Sequence, residues 1–348
     1  MMSAMRHVLV VFVLACHACV AHESAPGALP HDARGGLAPD HFDAARACSE
    51  WKAPSSHISF PELDRARSCF VPVIHERDHV EYGAVPAGCG FRASDAAQTI
   101  EAEADRDERI SRGEDVTLPL ELACHLSNDV RRAAAAHNAR TLRAIANDDR
   151  LYPYAAIEAF GFGHPSHVGT KLDTWKPEEA CAALKDVNVR RFSVNVDRAS
   201  RAALAWAGHV APVVVVSGGS VHSALVEAFL LDFIATCRIG MPSDRVLLDP
   251  CADHTHTNVR NAGRIVAAIG GRTSYIVTDD SFQAIYLQEH TLFDAFGGSV
   301  DQRALRDFHH LIGSWRQASI GIDAGFWYTP YRFWAEANPR LHDFTCDR

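Results

Sequence analysis

This sequence predicts an α/β fold: a parallel sheet with helices on both faces. Three observations carry the prediction. From residue 151 onward, short apolar runs alternate with helical stretches. The runs are rich in β-branched residues, with four consecutive valines at 213–216. Each run ends in a loop of glycine, serine, threonine or aspartate rather than in arbitrary residues. Strand and helix alternating at this spacing make βαβ units.

Taken in order, "YPYAAIEAF" (152–160) reads as the first strand of this region and "SRAALAWAGH" (200–209) as a helix. "PVVVVS" (212–217) is a strand buried on both faces, followed by helical "SALVEAFLLDFIATC" (223–237). Then come a strand in "RVLLD" (245–249), a helix in "NVRNAGRIVAAIG" (258–270), a strand in "TSYIVTDD" (273–280) and a helix in "FQAIYLQEHTLF" (282–293). The result is a Rossmann-like three-layer α/β/α sandwich over residues 151–348, ending in an aromatic tail.

Upstream the texture differs. Residues 1–21 hold one arginine, Arg6, then an apolar run and small residues, the pattern of a secretory signal. Cys19-Val20-Ala21 is a small-x-small processing site, while Val13-Leu14-Ala15-Cys16 is lipobox-like and would leave Cys16 lipid-anchored. Both readings export the chain to the periplasm, the cell envelope or the medium. Residues 22–40 are rich in proline, glycine and alanine and read as a flexible linker. Residues 41–150 read as a mostly helical, cysteine-containing region. Within it, 93–112 is a solvated charged helix, and 118–147 is a helix packing on the following domain.

The chain has ten cysteines. Those beyond Cys16 and Cys19 suggest disulfides in an oxidising compartment, each worth roughly 2–4 kcal/mol. Their pairing is open. Cys237, inside an apolar helical run, reads as a buried free thiol. A net charge of −9 excludes a nucleic-acid binder of the usual basic kind.

In a parallel sheet, ligands bind beyond the carboxyl ends of the strands. Four loops follow the predicted strands: Gly161-Phe162-Gly163, Ser217-Gly218-Gly219-Ser220, the stretch from Asp249 through Thr255 to Asn258, and Thr278-Asp279. Gly218 and Gly219 allow close backbone approach, and a helix beginning near Ser223 points its N–H groups and positive end at the same spot. A phosphate, a carboxylate or a ribose hydroxyl fits such a place. Asp249 is the candidate catalytic acid or ribose-binding group. Glu227 is a candidate ligand group, or a solvated helix carboxylate. His254 and His256, with Asp249 or Asp253, are an alternative metal site; against it, the Thr255-x-x-Asn258 spacing reads as a helix cap and turn. Gly161-x-Gly163 lacks the third glycine of a dinucleotide fingerprint, and Ser220 is not in a GxSxG elbow.

Together Ser217-Gly218-Gly219, Glu227-Ala228, Gly240-Met241-Pro242, Asp249, Thr255 with Asn258, and Val277-Thr278 resemble the DUF218 superfamily of bacterial proteins, which includes the YdcF, SanA and ElyC types. The resemblance covers roughly residues 152–290. It departs where the family's acid is usually glutamate, here Asp249, and where a histidine and an arginine usually follow Val-Thr. The resemblance implies an envelope-associated Rossmann-like protein binding a nucleotide-like ligand, S-adenosylmethionine among the candidates. Two other functions stay open: a non-catalytic docking protein for an envelope partner, and a metal-dependent hydrolase.

Overall fold

The computed structural model describes residues 68–114 except 77, residues 126–163, 176–186, 192–221, 225–277 and 300, and two strands at 315–317 and 325–328. The predicted signal, the linker, the helix at 282–293, Thr278 and Asp279 lie outside the described residues.

The strands are β1 (Val73–His75), β2 (Val80–Tyr82), β3 (Ala156–Phe160), β4 (Val214–Ser217), β5 (Val246–Asp249), β6 (Ser274–Val277), β7 (Trp315–Gln317) and β8 (Gly325–Tyr328). The helices are α1 (Ala97–Ser111), α2 (Asn128–Ile145), α3 (Pro177–Asp186), α4 (Ser193–Ala207), α5 (Glu227–Phe233) and α6 (Thr255–Ala268). A π-helical turn, Ile234–Ile239, continues α5.

The main sheet runs β5-β4-β3-β6-β8-β7. Its first four strands are parallel, as expected, and helices flank them. β8 then pairs antiparallel with β6, and β7 with β8. Part of the aromatic tail, Gly325–Tyr328, is therefore a strand of the sheet. From β3 the chain builds outward to β4 and β5, then returns past β3 to form β6. That reversal is a switch point beside the end of β3.

The apolar runs are continuous because both faces of these strands are covered. β3, β4, β5 and β6 are buried at every residue. Side-chain alternation divides them between two cores. Ile157, Ala159, Val214, Val216, Val246 and Leu248 pack with α3, α4 and α5. Ala156, Phe160, Val215, Leu247 and Ile276 pack with α1, the end of α2, and α6.

The edge strand β5 is closed by α2, which supplies side chains where a further strand would supply backbone. Asn138 accepts from Leu248 N–H at 2.7 Å and donates to Leu248 C=O at 2.9 Å. His137 Nε2 and Thr141 Oγ1 bond the Val246 carbonyl at 2.9 and 2.8 Å. Of the helix expected at 118–147, the described part, Asn128–Ile145, packs on the sheet through these bonds.

Two features depart from the sequence reading. The region 41–150 contains an antiparallel hairpin, β1–β2, beside its helices. Its alternating "VIH" and "VEY" segments have the two-residue period of strands, and Cys69–Cys89 fastens the flanking chain, with Cα atoms 5.3 Å apart. Cys237 is not a free thiol but is bonded to Cys181 of α3, again with Cα atoms 5.3 Å apart. The apolar run stays buried only through Ala235, and the π-turn brings half-buried Cys237 out towards α3. Cys251, after β5, is disulfide-bonded as well. Such bonds persist in oxidising compartments. Among the described residues no helix is long and apolar enough to cross a membrane.

Candidate functional site

The register aligns Phe160, Ser217 and Asp249 at the carboxyl ends of β3, β4 and β5. The three loops that follow therefore start side by side, as topology demands. Gly161, Gly218, Gly219, Ser217, Glu227, Asp249 and Asn258 meet there. Gly163 is half-buried at the margin, Ser220 is exposed, and Thr255 is the half-buried first residue of α6.

Asp249 is fully enclosed. Its carboxylate accepts from Ser217 Oγ at 2.5 Å, from Asn261 Nδ2 at 3.2 Å and from Cys251 N–H at 3.1 Å. Ser217 Oγ also lies 2.8 Å from the side-chain amide of Asn258. These bonds lock the ends of β4 and β5 to α6, a structural use of all four side chains.

The Gly-Gly turn packs closely against the start of α5 and the loop after β5. The described helix α5 begins at Glu227, and its first two N–H groups are taken up by the turn. Glu227 N–H donates to the Gly219 carbonyl at 3.2 Å, and Ala228 N–H to the Gly218 carbonyl at 2.8 Å. Gly218 and Gly219 in turn donate to the Asp249 and Ala252 carbonyls at 2.9 and 2.6 Å. The glycines make room for protein. A Cβ on Gly161 would overlap Glu227 Cβ and Oε2, and one on Gly218 would lie 2.8 Å from the same two atoms. Gly218 also has φ +152°, which disfavours side chains, and a Cβ on Gly219 would sit 2.8 Å from the Ala252 carbonyl.

Glu227 is thus wedged between two glycines at the ends of β3 and β4. It is 7% exposed, and among the described residues no hydrogen bond reaches its carboxyl oxygens. Burial pushes its pKa up to about 7, against the opposing charge of Arg198. Arg198, on α4, is 2% exposed and donates from Nη1 to the Phe160 and Gly161 carbonyls at 2.6 and 3.0 Å. Asn195, one turn earlier, holds the loop by accepting from Phe162 N–H and donating to its carbonyl, at 2.8 and 2.9 Å.

The α6 start matches the cap reading with a shift in register. His254 is the N-cap, and the bonding hydroxyl is that of Thr257 rather than Thr255. Thr257 Oγ1 accepts from Asp253 and His254 N–H at 3.0 and 2.9 Å. The His254 and His256 rings stack 5.6 Å apart, with His254 exposed and His256 buried. Among the described residues no three His, Cys, Asp or Glu side chains converge to hold a metal.

Three buried polar residues near the site escaped the sequence reading. Asn195 and Arg198 lie just before the stretch 200–209 read as a helix, and nothing in their local sequence marks them. Glu158 was visible as a carboxylate inside an apolar strand; it is fully buried on the face towards α6. Comparison with protein-family models, with curated proteins and with solved structures returned no match.

Proposed function

We propose that this is an exported protein that binds a small polar ligand at the carboxyl ends of β3, β4 and β5, beside the switch point. The carrying observation is Glu227, a buried carboxyl in a crevice between glycines with no hydrogen bond from the described residues. Enclosing an acid without a hydrogen bond from the surrounding described residues costs the fold free energy. A ligand reaching the strand ends would supply the missing partner. The division of labour is then clear: Asp249, Ser217 and Asn258 organise the loops, and Glu227 faces the ligand.

The resemblance to the DUF218 superfamily supports the same site and suggests a nucleotide-like ligand and a role in cell-envelope maintenance. Export is supported by the apolar N-terminal segment and the disulfide-bonded cysteines. The full chain purified from the exported compartment is to be weighed by native mass spectrometry beside Glu227→Gln. A small molecule retained by the wild type and lost from the variant supports the reading. A bare wild type that also ignores added nucleosides, sugars, polyols, nucleotides and S-adenosylmethionine contradicts it.

A further inference from the structure

We propose that the strand-end site recognises a neutral, hydroxyl-bearing ligand through the Glu227 carboxyl, and does not seat a phosphate at the Gly-Gly turn. The inference rests on the ligand-binding reading above and narrows its chemistry.

Anion sites at strand ends and helix starts work through backbone N–H groups left free by the fold. Here six of those groups are engaged. Gly161 N–H donates to the Ser217 carbonyl at 2.7 Å, and Gly218 and Gly219 donate to the loop after β5. Phe162 N–H goes to Asn195, Cys251 N–H to Asp249, and Glu227 N–H back to Gly219. An anion placed on the turn would meet no donor from these residues and would lie against the Glu227 carboxyl. None of these six N–H groups is left for an anion, and Glu227 offers an acceptor beside them, so the complement of this part of the site is a group that donates.

Charge then selects among donors. Arg198 is buried beside Glu227, close enough for its charge to lower the acid's pKa. A cationic ligand would bring a second positive charge to a buried place that already holds one. A neutral hydroxyl avoids both conflicts. It donates to Glu227 when the acid is ionised, and it accepts from the acid when protonated. The raised pKa gives both forms near neutral pH.

Matched pairs test this, because each holds the hydroxyls constant and adds only an anion. Ribose and ribose 5-phosphate, glycerol and glycerol 3-phosphate, and inorganic phosphate alone are titrated into the full chain and followed by NMR. The expected result is that each ester binds at least tenfold more weakly than its parent alcohol. Glu227→Gln should weaken the alcohols at least tenfold, and Gly161→Ala, which keeps the acid but displaces it, should do the same. Esters or phosphate binding more tightly than the alcohols, unaffected by Glu227→Gln, overturn the inference and leave the ligand-binding reading standing. A phosphate-bearing molecule retained through purification does likewise. A wild type that is bare by native mass spectrometry and silent to both members of every pair overturns both.

Discussion

Two acids stand at the same end of the same sheet and are treated in opposite ways. Asp249 ends β5, is fully enclosed, and has three donors on its carboxylate. Glu227 begins α5, is nearly as buried, and has none among the described residues. The first is an internal fastening: its carboxyl oxygens are met by hydrogen bonds that also align β4, the β5 loop and α6. The second is held in a slot built by the absence of side chains at Gly161 and Gly218. Burial alone therefore does not mark a functional carboxylate. What separates the two is whether the fold itself has answered the group's need for partners.

The largest effect should come from breaking the satisfied member. Asp249→Ala leaves the Ser217 hydroxyl, the Asn261 amide and Cys251 N–H facing an empty place. We expect a loss of about 3–4 kcal/mol in urea denaturation, whether or not a ligand is present. A loss below 1 kcal/mol would mean that these bonds do not align the loops.

Next is the slot. Gly218→Ala forces a side chain at φ +152° and into Glu227, so about 2–3 kcal/mol of stability should go. Gly161→Ala carries the steric conflict without that backbone restriction, and thermal unfolding should register a smaller loss, about 1–2 kcal/mol. If both variants melt as the wild type does, Glu227 is not wedged where we place it.

Away from the site, Asn138→Ala would strip the side-chain cover from β5, exposing a peptide N–H and carbonyl of Leu248 in a buried setting. A loss of about 2 kcal/mol is expected. Increased self-association in light scattering would accompany it if the uncovered edge pairs between molecules.

The smallest expected effect depends on pH. On α5, five residues beyond Glu227, Asp232 is buried 4.0 Å from His137 Nδ1, and burial raises its pKa to about 7 against the charge of Arg140. His137 is pushed the other way, down to about 4, also by burial. An acid whose pKa is higher in the folded state stabilises below its unfolded pKa of about 4 and loses that contribution as pH rises through about 7. A histidine with a lowered folded pKa has the opposite slope, so stability rises between pH 4 and 6.5. Asp232→Asn removes the first effect and keeps the second. Relative to wild type it should gain on the order of 1–2 kcal/mol on moving from pH 5 to pH 8. An unchanged pH profile would show that Asp232 ionises as readily as an exposed acid.

The parallel strands were legible because burial on both faces needs uninterrupted apolar runs, and "VVVVS" and "RVLLD" contain little else. The convergence of the loops followed from the topology those strands imply. The role of the glycines did not follow. Gly161 and Gly218 are far apart in sequence, and nothing local says that a glutamate at 227 fills the space both leave. The same limit hid the cover on β5, where Asn138 bonds Leu248 across a separation of 110 residues. The bonding of Cys237 is hidden in the same way, because its run is apolar while a π-turn redirects its end towards Cys181 of α3.

The most direct test is the stability of Glu227→Gln at pH 8 without ligand, by urea denaturation against wild type. Glutamine keeps the shape and removes the ionisable group, whose raised pKa weakens the fold as pH passes through about 7. A spare acid held for a ligand predicts that the variant is as stable as the wild type or more so. A loss of about 2 kcal/mol or more would contradict the account, because Glu227 would then be a fastening of the same kind as Asp249.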